Sequence, residues 1–445
     1  MATIINTVSA PAGRGKTTKY AEPRIKQGGV IFVTPHHRLL DEMESRVEIK
    51  DGNWFRRATQ PLHVIDSRQE GLPVGVRVAS FLNPEEDTQD MTAVTRMLHS
   101  MQSLGITWEA FRDLSPDDVR GREVVIDGTP PCITTVHLRP ATWDFLVRGG
   151  WITAAAGDVE ADGLNVPVEV GMTVTLTVAG RKQATPLTYD GSLDRELAKV
   201  LSFIDAAPTK IMNKQGGHFY ALQELDPELF RAAGKVTIMS ASLNTGYFKE
   251  YSKRHGFKLE EASHGLDDTP LRCPNVEIFY ALDSTRPGSK HLIDKNLTAL
   301  NRLSEQCLQP SRNGSLATQE PDSVLGFFNA GIDMKLPGSS AKLKPGTLGI
   351  NKYQTCDRVI YLAATQAGPG ELAAVQLHLG LPKRPSTTTR HYDAMYQGIM
   401  RSRLRVDPNA PVKILVLTKR DAEEMAKKLG AIIPVSQCLP KVKFE

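Results

Sequence analysis

The chain has 445 residues, of which 40% are hydrophobic and 23% are charged, and its formal net charge is +4. This composition supports a sizeable buried core and excludes a long disordered chain, and the length favours two or three domains. The small net charge identifies no partner, and no apolar run reaches the roughly 18 residues that a membrane span needs.

The cysteines and the N-terminus indicate the compartment. The five cysteines are scattered and never form a C-x-x-C pair, which argues against a disulfide scaffold and against a zinc ribbon. The first residues lack the basic and apolar regions of a signal peptide. We therefore expect a cytoplasmic protein that has no membrane partner.

Short apolar runs rich in Ile, Val and Phe, each bounded by turn residues, predict buried β-strands. They are residues 3–8, 29–34, 63–67, 76–81, 123–127, 236–240, 276–281, 324–328, 358–363 and 412–418. Helical patterns fill many of the gaps, for example residues 35–47, 194–203 and 421–429. Because parallel strands need crossover connections, this alternation predicts an α/β fold with parallel sheets. Ten strands divide more readily into two sheets than one, and the polar stretch 264–274 is the expected boundary.

Residues 166–178 break the alternation of strands and helices. Apolar side chains occupy every second position from Val166 to Val178, and threonines occupy part of the other face. This period of two predicts a β-hairpin or small sheet inserted in the first domain, at about residues 161–190. It could form an extra edge on the sheet or an arm that guides nucleic acid.

Positive charge is concentrated in the second half. Residues 381–420 contain nine Lys or Arg and two acidic residues. Such an excess can serve the phosphates of a nucleotide or of a nucleic-acid backbone, and a solvated helix face is the alternative.

The sharpest signal is the sequence Ser-Ala-Pro-Ala-Gly-Arg-Gly-Lys-Thr-Thr at residues 9–18. It follows a predicted strand and precedes a helical pattern, which is the context of a phosphate-binding loop. Glycines allow backbone N–H groups to converge on phosphate oxygens. Lys16 would reach the β- and γ-phosphates of ATP, and Thr17 would place its hydroxyl on Mg²⁺. The predicted nucleotide-binding residues of this loop are Ala12, Gly13, Arg14, Gly15, Lys16, Thr17 and Thr18.

With Ala10 in place of the first glycine, this loop resembles motif I of superfamily 2 helicases. Further segments resemble helicase motifs in the expected order. They are residues 30–40 for motif Ia, 236–242 for motif III, 346–353 for motif V and 396–405 for motif VI. The resemblance covers nearly the whole chain. It implies two RecA-like domains in tandem, at residues 1–268 and 269–445, with the β-rich insertion in the first.

Motif VI is commonly Q-x-x-G-R-x-x-R, and here Gln397 begins it while Met400 stands at the usual glycine. Arginine suits this motif because its guanidinium stays charged and presents a planar fork of donors to the γ-phosphate. Arg401 aligns as the first arginine, and either Arg403 or Arg405 is the second. On a helix Arg401 and Arg405 would share a face, which favours that pair. Gln397 completes the predicted nucleotide-binding set.

Motif II should be a hydrophobic strand that ends in Asp-Glu. Asp127 is the expected metal-site carboxylate, and with Thr17 it forms the predicted Mg²⁺ site. Gly128 stands where the Glu is expected, and glycine cannot act as a base. Asp158 or Glu160 could substitute for it. Otherwise turnover would be slow or absent.

The resemblance implies an ATP-dependent helicase or translocase. Its catalytic residues would be Lys16, Asp127, Arg401 and Arg405, and ATP hydrolysis between the two domains would drive movement along DNA or RNA. The expected partner is single-stranded or forked DNA, with RNA as the second choice. Replication or repair proteins are further expected partners. A nucleic-acid-binding ATPase without strand separation and a P-loop kinase are the alternatives. The short chain and divergent motif II resemble helicases of phages, which implies the cytoplasm of a host cell.

Overall fold

The computed structural model describes residues 2–35, 39–40, 42–43, 103–112, 114–156, 159–160, 170–178, 180, 197, 200–201, 203–204, 209–215, 218–240, 243, 247–307, 324–329, 332, 336, 341–345, 353–365, 368–381 and 391–438. Its contacts divide the chain into two compact units. Unit 1 comprises Met1–Val8, Thr17–His264 and Gly368–Ser386, and unit 2 comprises Ser9–Lys16, Gly265–Ala367 and Thr387–Glu445. The domain border predicted after residue 268 stays a prediction.

The strands and helices of the described residues follow in chain order. The strands are β1 (Ile4–Val8), β2 (Val30–Thr34), β3 (Leu104–Thr107), β4 (Glu123–Asp127), β5 (Ile133–Leu138), β6 (Ile152–Ala156), β7 (Val159–Glu160), β8 (Thr173–Leu176), β9 (Thr209–Gln215), β10 (His218–Glu224), β11 (Lys235–Met239), β12 (Lys258–Glu261), β13 (Val276–Leu282), β14 (Val324–Phe327), β15 (Ala341–Leu343), β16 (Arg358–Tyr361), β17 (Val412–Thr418) and β18 (Ser436–Gln437). The α-helices are α1 (Glu22–Gln27), α2 (Trp108–Arg112), α3 (Pro116–Val119), α4 (Pro140–Arg148), α5 (Glu228–Ala232), α6 (Tyr247–Arg254), α7 (Lys290–Cys307), α8 (Pro369–Leu379), α9 (Asp393–Ile399) and α10 (Lys419–Leu429). None of these helices has the length and apolar character that crossing a membrane requires.

Unit 1 contains a parallel sheet of six strands. Its order is β12-β1-β11-β4-β2-β3, and every neighbouring pair is parallel. In register, Val8 lies opposite Met239, and Met239 lies opposite Asp127. The carboxyl ends of β1 and β4 therefore lie at one edge of the sheet, on either side of β11.

An antiparallel sheet lies between β4 and β11 in the chain. Its order is β5-β10-β9-β8-β6-β7. Val174 and Ile211 of this sheet share a buried cluster with Trp143 and Leu146 of α4. The sheet runs from β5 to β10, so it extends on both sides of the predicted range 161–190. Residues 161–169 and 181–190 lie outside the described part of the chain.

Helix α8 belongs to unit 1, although the chain on both sides of residues 368–386 belongs to unit 2. It packs on β5, β9 and β10 of the antiparallel sheet. A Cβ atom built on Gly370 would lie 2.1 Å from the ring of Tyr220, so only glycine allows this approach. The Thr135 hydroxyl donates to Glu371 at 2.8 Å and fixes the first turn of the helix.

A Glu–His cluster fixes the last turn of α8. One carboxylate oxygen of Glu224 lies 2.9 Å from Nε2 of His255, and the other lies 3.0 Å from Nε2 of His378. Burial raises the pKa of Glu224, but the hydrogen bonds and charges of both histidines outweigh it and hold that pKa at about 2, below the usual 4.5. The ionised carboxylate therefore stabilises the folded unit.

Because the folded pKa of Glu224 is depressed, its contribution is complete above about pH 4.5 and is lost as the pH falls towards 2. Allowing for partial exposure of the side chain, we expect about 1 kcal/mol. The stability gap between wild type and Glu224→Gln, measured by urea unfolding, should be larger near pH 7 than at about pH 3. Glu228→Gln, at an exposed helical glutamate, is the control and should show no such difference. A gap that does not change with pH would contradict this role of Glu224.

A second parallel sheet of six strands forms the core of unit 2. Its order is β15-β14-β16-β17-β13-β18. Helix α10 follows β17 and begins with a capping box, in which the Asp421 amide donates to the Thr418 hydroxyl and the Thr418 amide donates to the Asp421 carboxylate. The helix ends at Gly430, whose φ of 58° suits a glycine.

The predicted α/β fold with two parallel sheets and a β-rich insertion is confirmed. The eight predicted strands that fall on described residues are observed, with ends shifted by at most two residues. The predicted strands at 63–67 and 76–81 lie outside the described residues.

Candidate functional site

The loop Ser9–Lys16 follows the carboxyl end of β1. Gly13 has a φ of 84° and Gly15 a φ of 82°. Residues with a side chain rarely adopt such angles, so both glycines are needed for the path of the loop. The local sequence thus folds as the motif predicts.

Lys16 binds its own loop in this structure. Its ammonium donates to the carbonyl oxygens of Ala10 and Pro11, the latter at 2.9 Å. A phosphate bound to the loop would replace these carbonyls as the acceptor. The charge is therefore held at the loop before a nucleotide arrives.

The predicted metal-binding pair is brought together. The Thr17 hydroxyl donates to Oδ2 of Asp127 at 3.3 Å. A hydroxyl and a carboxylate beside a phosphate loop are oxygen ligands of the kind that Mg²⁺ prefers, so these residues fit that ion. Thr18, the last residue of the predicted loop set, is exposed.

Gly128, at the position of the motif II Glu, has a backbone that disfavours any side chain. Its φ is 88°, and its amide donates to the carbonyl oxygen of Met239 at 2.9 Å. A Cβ atom built on it would lie 3.1 Å from the Trp108 ring. The departure from the motif is therefore part of the local structure, because a glutamate here would be strained.

We expect Gly128→Glu to destabilise the protein by about 1–3 kcal/mol and not to accelerate ATP hydrolysis. Gly128→Asn should cost less, because asparagine tolerates positive φ better than other residues. Gly121→Ala is the matched control, since Gly121 has a φ of 72° and a Cβ atom built on it would meet no atom within 4 Å. Chemical denaturation compares the three variants. A stable and faster Gly128→Glu protein would contradict this account.

Motif III lies beside motif II. The Ser240 amide donates to the Val8 carbonyl at 3.1 Å, and the Ser240 and Thr129 hydroxyls are 2.7 Å apart. Thr237 lies 3.3 Å from the hydroxyl of buried Tyr20, one turn beyond the loop. Residues 241 and 242 of this motif lie outside the described part of the chain.

Asp158 and Glu160 are the two carboxylates that could substitute for the motif II Glu. Glu160 belongs to β7, which is the edge strand of the antiparallel sheet next to β6. Asp158 lies outside the described residues. Outside them too lie residues 36–38 of motif Ia and 346–352 of motif V.

The arginines of motif VI do not share a helical face as predicted. Helix α9 ends at Ile399, and Ser402 has extended backbone angles, with φ −70° and ψ −172°. A separate 3₁₀ turn, Arg403–Arg405, follows. Arg401 is 3% exposed and precedes this break. Arg401 and Arg405 are therefore four residues apart but do not lie on one α-helix. Gln397 lies on α9, before the break, and is half-buried.

Within unit 2, the segment 396–405 contacts the loop Ser9–Lys16. A Cβ atom built on Gly13 would lie 2.9 Å from the Arg405 carbonyl oxygen and 3.5 Å from its Cγ. Tyr396 forms a hydrogen bond with the backbone of Ala12, and burial raises the pKa of Tyr396 to about 12, so the phenol stays neutral. Ala12 and Gly13 of motif I are thus neighbours of Tyr396 and Arg405 of motif VI.

Arg14 has a partner that the sequence did not suggest. Its guanidinium lies 3.0 Å from the Asp267 carboxylate. Asp267 falls in the polar stretch that the sequence marks as a boundary, and nothing in that stretch signals an ion pair. Contact between Arg14 and a phosphate would require this exposed pair to open.

Comparison with known proteins relates the whole chain to two solved structures. An apo form of XPD matches with a TM-score of 0.50 and 11% identity, over 98% of this chain and 97% of the other. A structure of the XPD helicase matches with a TM-score of 0.51 and 11% identity, over 98% and 96%. The chain has the fold of XPD. The fold that the resemblance implied is thereby confirmed.

The sequence alone carries no such match. No protein-family model matches it, and no curated protein matches it either. At 11% identity the likeness to XPD concerns the fold, and the chemistry has to be argued from the site.

Proposed function

We propose that the protein is a nucleic-acid-dependent ATPase that acts as a helicase or translocase. One observation carries this proposal: the segment with the motif VI arginines contacts the glycine loop, at Arg405 and Gly13. A P-loop kinase does not need such a segment. A motor does, because it couples nucleotide hydrolysis to movement between two RecA-like domains.

ATP is the proposed substrate of the loop. The backbone N–H groups around Gly13 and Gly15 would bind phosphate oxygens, and Lys16 would exchange its carbonyl partners for the β- and γ-phosphates. Thr17 and Asp127 would hold Mg²⁺, which when bound neutralises charge on the phosphates. Fixed donors of this kind position the substrate before transfer.

The arginines would act at a later stage. As the γ-phosphoryl group transfers, charge develops on its oxygens, and the guanidinium of Arg401, with Arg405 as second, would stabilise that charge. Gln397 would contact the nucleotide. These roles rest on the motif and on the contact between the loop and the segment.

Nucleic acid is the proposed partner. The excess of Lys and Arg in residues 381–420 suits a phosphate backbone, and XPD, whose fold this chain has, is a helicase. We propose single-stranded or forked DNA first and RNA second. A cytoplasmic location, in a host cell if the protein is viral, and a role beside replication or repair proteins also stay predictions.

A second candidate is a nucleic-acid-binding ATPase that remodels complexes without separating strands. The backbone of Gly128 favours it, because that position provides no carboxylate to activate water. Binding of ATP would then change the grip on nucleic acid, while turnover stays slow.

The test is ATP hydrolysis measured with and without single-stranded DNA or RNA. We expect stimulation by a polynucleotide, and an affinity for that polynucleotide that falls steeply with salt. A strand-displacement assay then separates the helicase from the remodelling ATPase. A rate of hydrolysis that does not change when a polynucleotide is added would contradict both the helicase and the remodelling ATPase, and would favour a kinase or an unrelated ATPase.

A further inference from the structure

A buried polar chain lies in unit 2, at the start of the helical turn that leads into α9. Its centre is His391, which is 1% exposed. Nε2 of His391 lies 3.1 Å from Oδ1 of Asp421, and Nδ1 lies 3.1 Å from the Thr365 hydroxyl. Both ring nitrogens therefore have partners, and the orientation of the imidazole is fixed.

The direction of the first of these hydrogen bonds follows from Asp421. This carboxylate, which is 0% exposed, accepts from the amides of Thr418 and Gly288, both at 3.2 Å. It is thus an acceptor, and Nε2–H of His391 donates to it. Nδ1 makes the second hydrogen bond, with the Thr365 hydroxyl, which can act as donor or acceptor.

The chain of bonds joins three neighbouring strands to α9. Thr365 follows β16, Asp421 follows β17, and Gly288 follows β13, and these strands are adjacent in the sheet order. A second bond holds the same helix, since Nζ of Lys428 on α10 donates to Oδ1 of Asp393 at 2.6 Å. The first turn of α9 is thus attached to the sheet and to α10.

The residues proposed for ATP hydrolysis follow the other end of this helix. Tyr396 contacts the backbone of Ala12, the Arg401 amide donates to the Gly398 carbonyl at 3.1 Å, and Arg405 contacts the loop. A displacement of the first turn would shift all of them, and misplacement by about 1 Å can cost 10²-fold in rate.

We propose that His391 is a positioning residue for the motif VI arginines, and that the chain Thr365–His391–Asp421 sets their place against the phosphate loop. This inference rests on the proposed function, which supplies the reaction that it affects. The imidazole itself touches no substrate. It acts through α9 and the turn that follows.

The experiment compares three full-length variants. His391→Leu introduces an apolar side chain of similar size and removes both hydrogen bonds. His391→Gln introduces an amide N–H that can still donate to Asp421. Ile293→Ala, on α7 in a separate buried cluster of unit 2, is the matched control for lost stability. We measure kcat of polynucleotide-stimulated hydrolysis, the Kd of an ATP analogue, and Tm.

We expect kcat of His391→Leu to fall roughly 10- to 100-fold with Kd within about threefold of wild type. His391→Gln should recover part of this rate, and Ile293→Ala should retain it despite a lower Tm. Unchanged kcat in His391→Leu, or an equal loss in Ile293→Ala, would overturn the inference. Where His391→Leu does not fold, Thr365→Val removes one bond only and serves in its place.

Failure of the proposed function is distinguished by hydrogen exchange. If the wild type hydrolyses no ATP, the proposed function fails, and amide exchange of residues 393–405 still tests the positioning role. Faster exchange there in His391→Leu, with no change in Ile293→Ala, supports the role. Equal protection in wild type and His391→Leu rules it out.

Discussion

Arg401→Ala should lower the single-turnover rate of ATP hydrolysis by about 10³-fold or more. The affinity for ATP should stay within about threefold of wild type, because this guanidinium acts mainly on charge that develops during transfer. Arg401 is also 3% exposed, so its loss removes packing as well as charge. Unfolding must therefore be followed separately, and rates compared only where the variant is folded.

Two neighbouring variants make the test specific. Arg401→Lys keeps the charge but not the planar fork, and should give an intermediate rate. Arg403→Ala changes the competing arginine, whose amide donates to the Cys356 carbonyl at 2.9 Å, and should retain near-normal turnover. A normal rate in Arg401→Ala with a large loss in Arg403→Ala would mean that the motif was aligned in the wrong register.

The central strands of both parallel sheets could be predicted from the sequence, and the edges could not. A parallel strand covered on both faces reads as a continuous apolar run, and β2 is buried along its whole length. β3 and β12 were not predicted, and they are the two edge strands of their sheet. β12 has the sequence Lys-Leu-Glu-Glu, which shows no apolar run because one side of an edge faces solvent.

The extent of the antiparallel sheet and the place of α8 depend on contacts distant in sequence. The alternation at residues 166–178 marks a strand, but the partners of that strand come from positions up to Glu224. Gly370 gave no signal in the sequence, because its role exists only where it meets Tyr220. Local patterns could not assign this helix to unit 1.

In the candidate site, too, some contacts could be predicted from the sequence and others could not. The pair of Thr17 and Asp127 was predicted from the resemblance to motifs I and II, and the structure brings the two side chains together because β1 and β4 end at one edge of the same sheet. The shared helical face of Arg401 and Arg405 was wrong, because helical spacing assumes a continuous helix and the backbone at Ser402 is extended. The partner of His391 could not be inferred, since Asp421 lies 30 residues away.

Lys16→Ala should abolish hydrolysis and weaken ATP binding by roughly 10- to 100-fold, because a hydrogen bond to a charged group contributes about 1.5–3 kcal/mol. The structure gives a reason for a second effect. The ammonium of Lys16 also holds the carbonyls of Ala10 and Pro11, so its removal loosens the loop before any nucleotide binds. We measure the Kd of a fluorescent ATP analogue and the single-turnover rate.

Two further variants serve as controls. Lys16→Arg separates the effect of the charge from that of the side-chain shape, and Lys19→Ala tests the loss of a nearby lysine outside the loop. Arginine keeps the positive charge but is larger, so binding should recover more than hydrolysis does. Lys19 is exposed and lies one turn later, so Lys19→Ala should leave both quantities unchanged. If Lys16→Ala still bound and hydrolysed ATP at the wild-type level, the nucleotide would lie elsewhere on the chain. The contact between Gly13 and Arg405 would then need an explanation as packing alone.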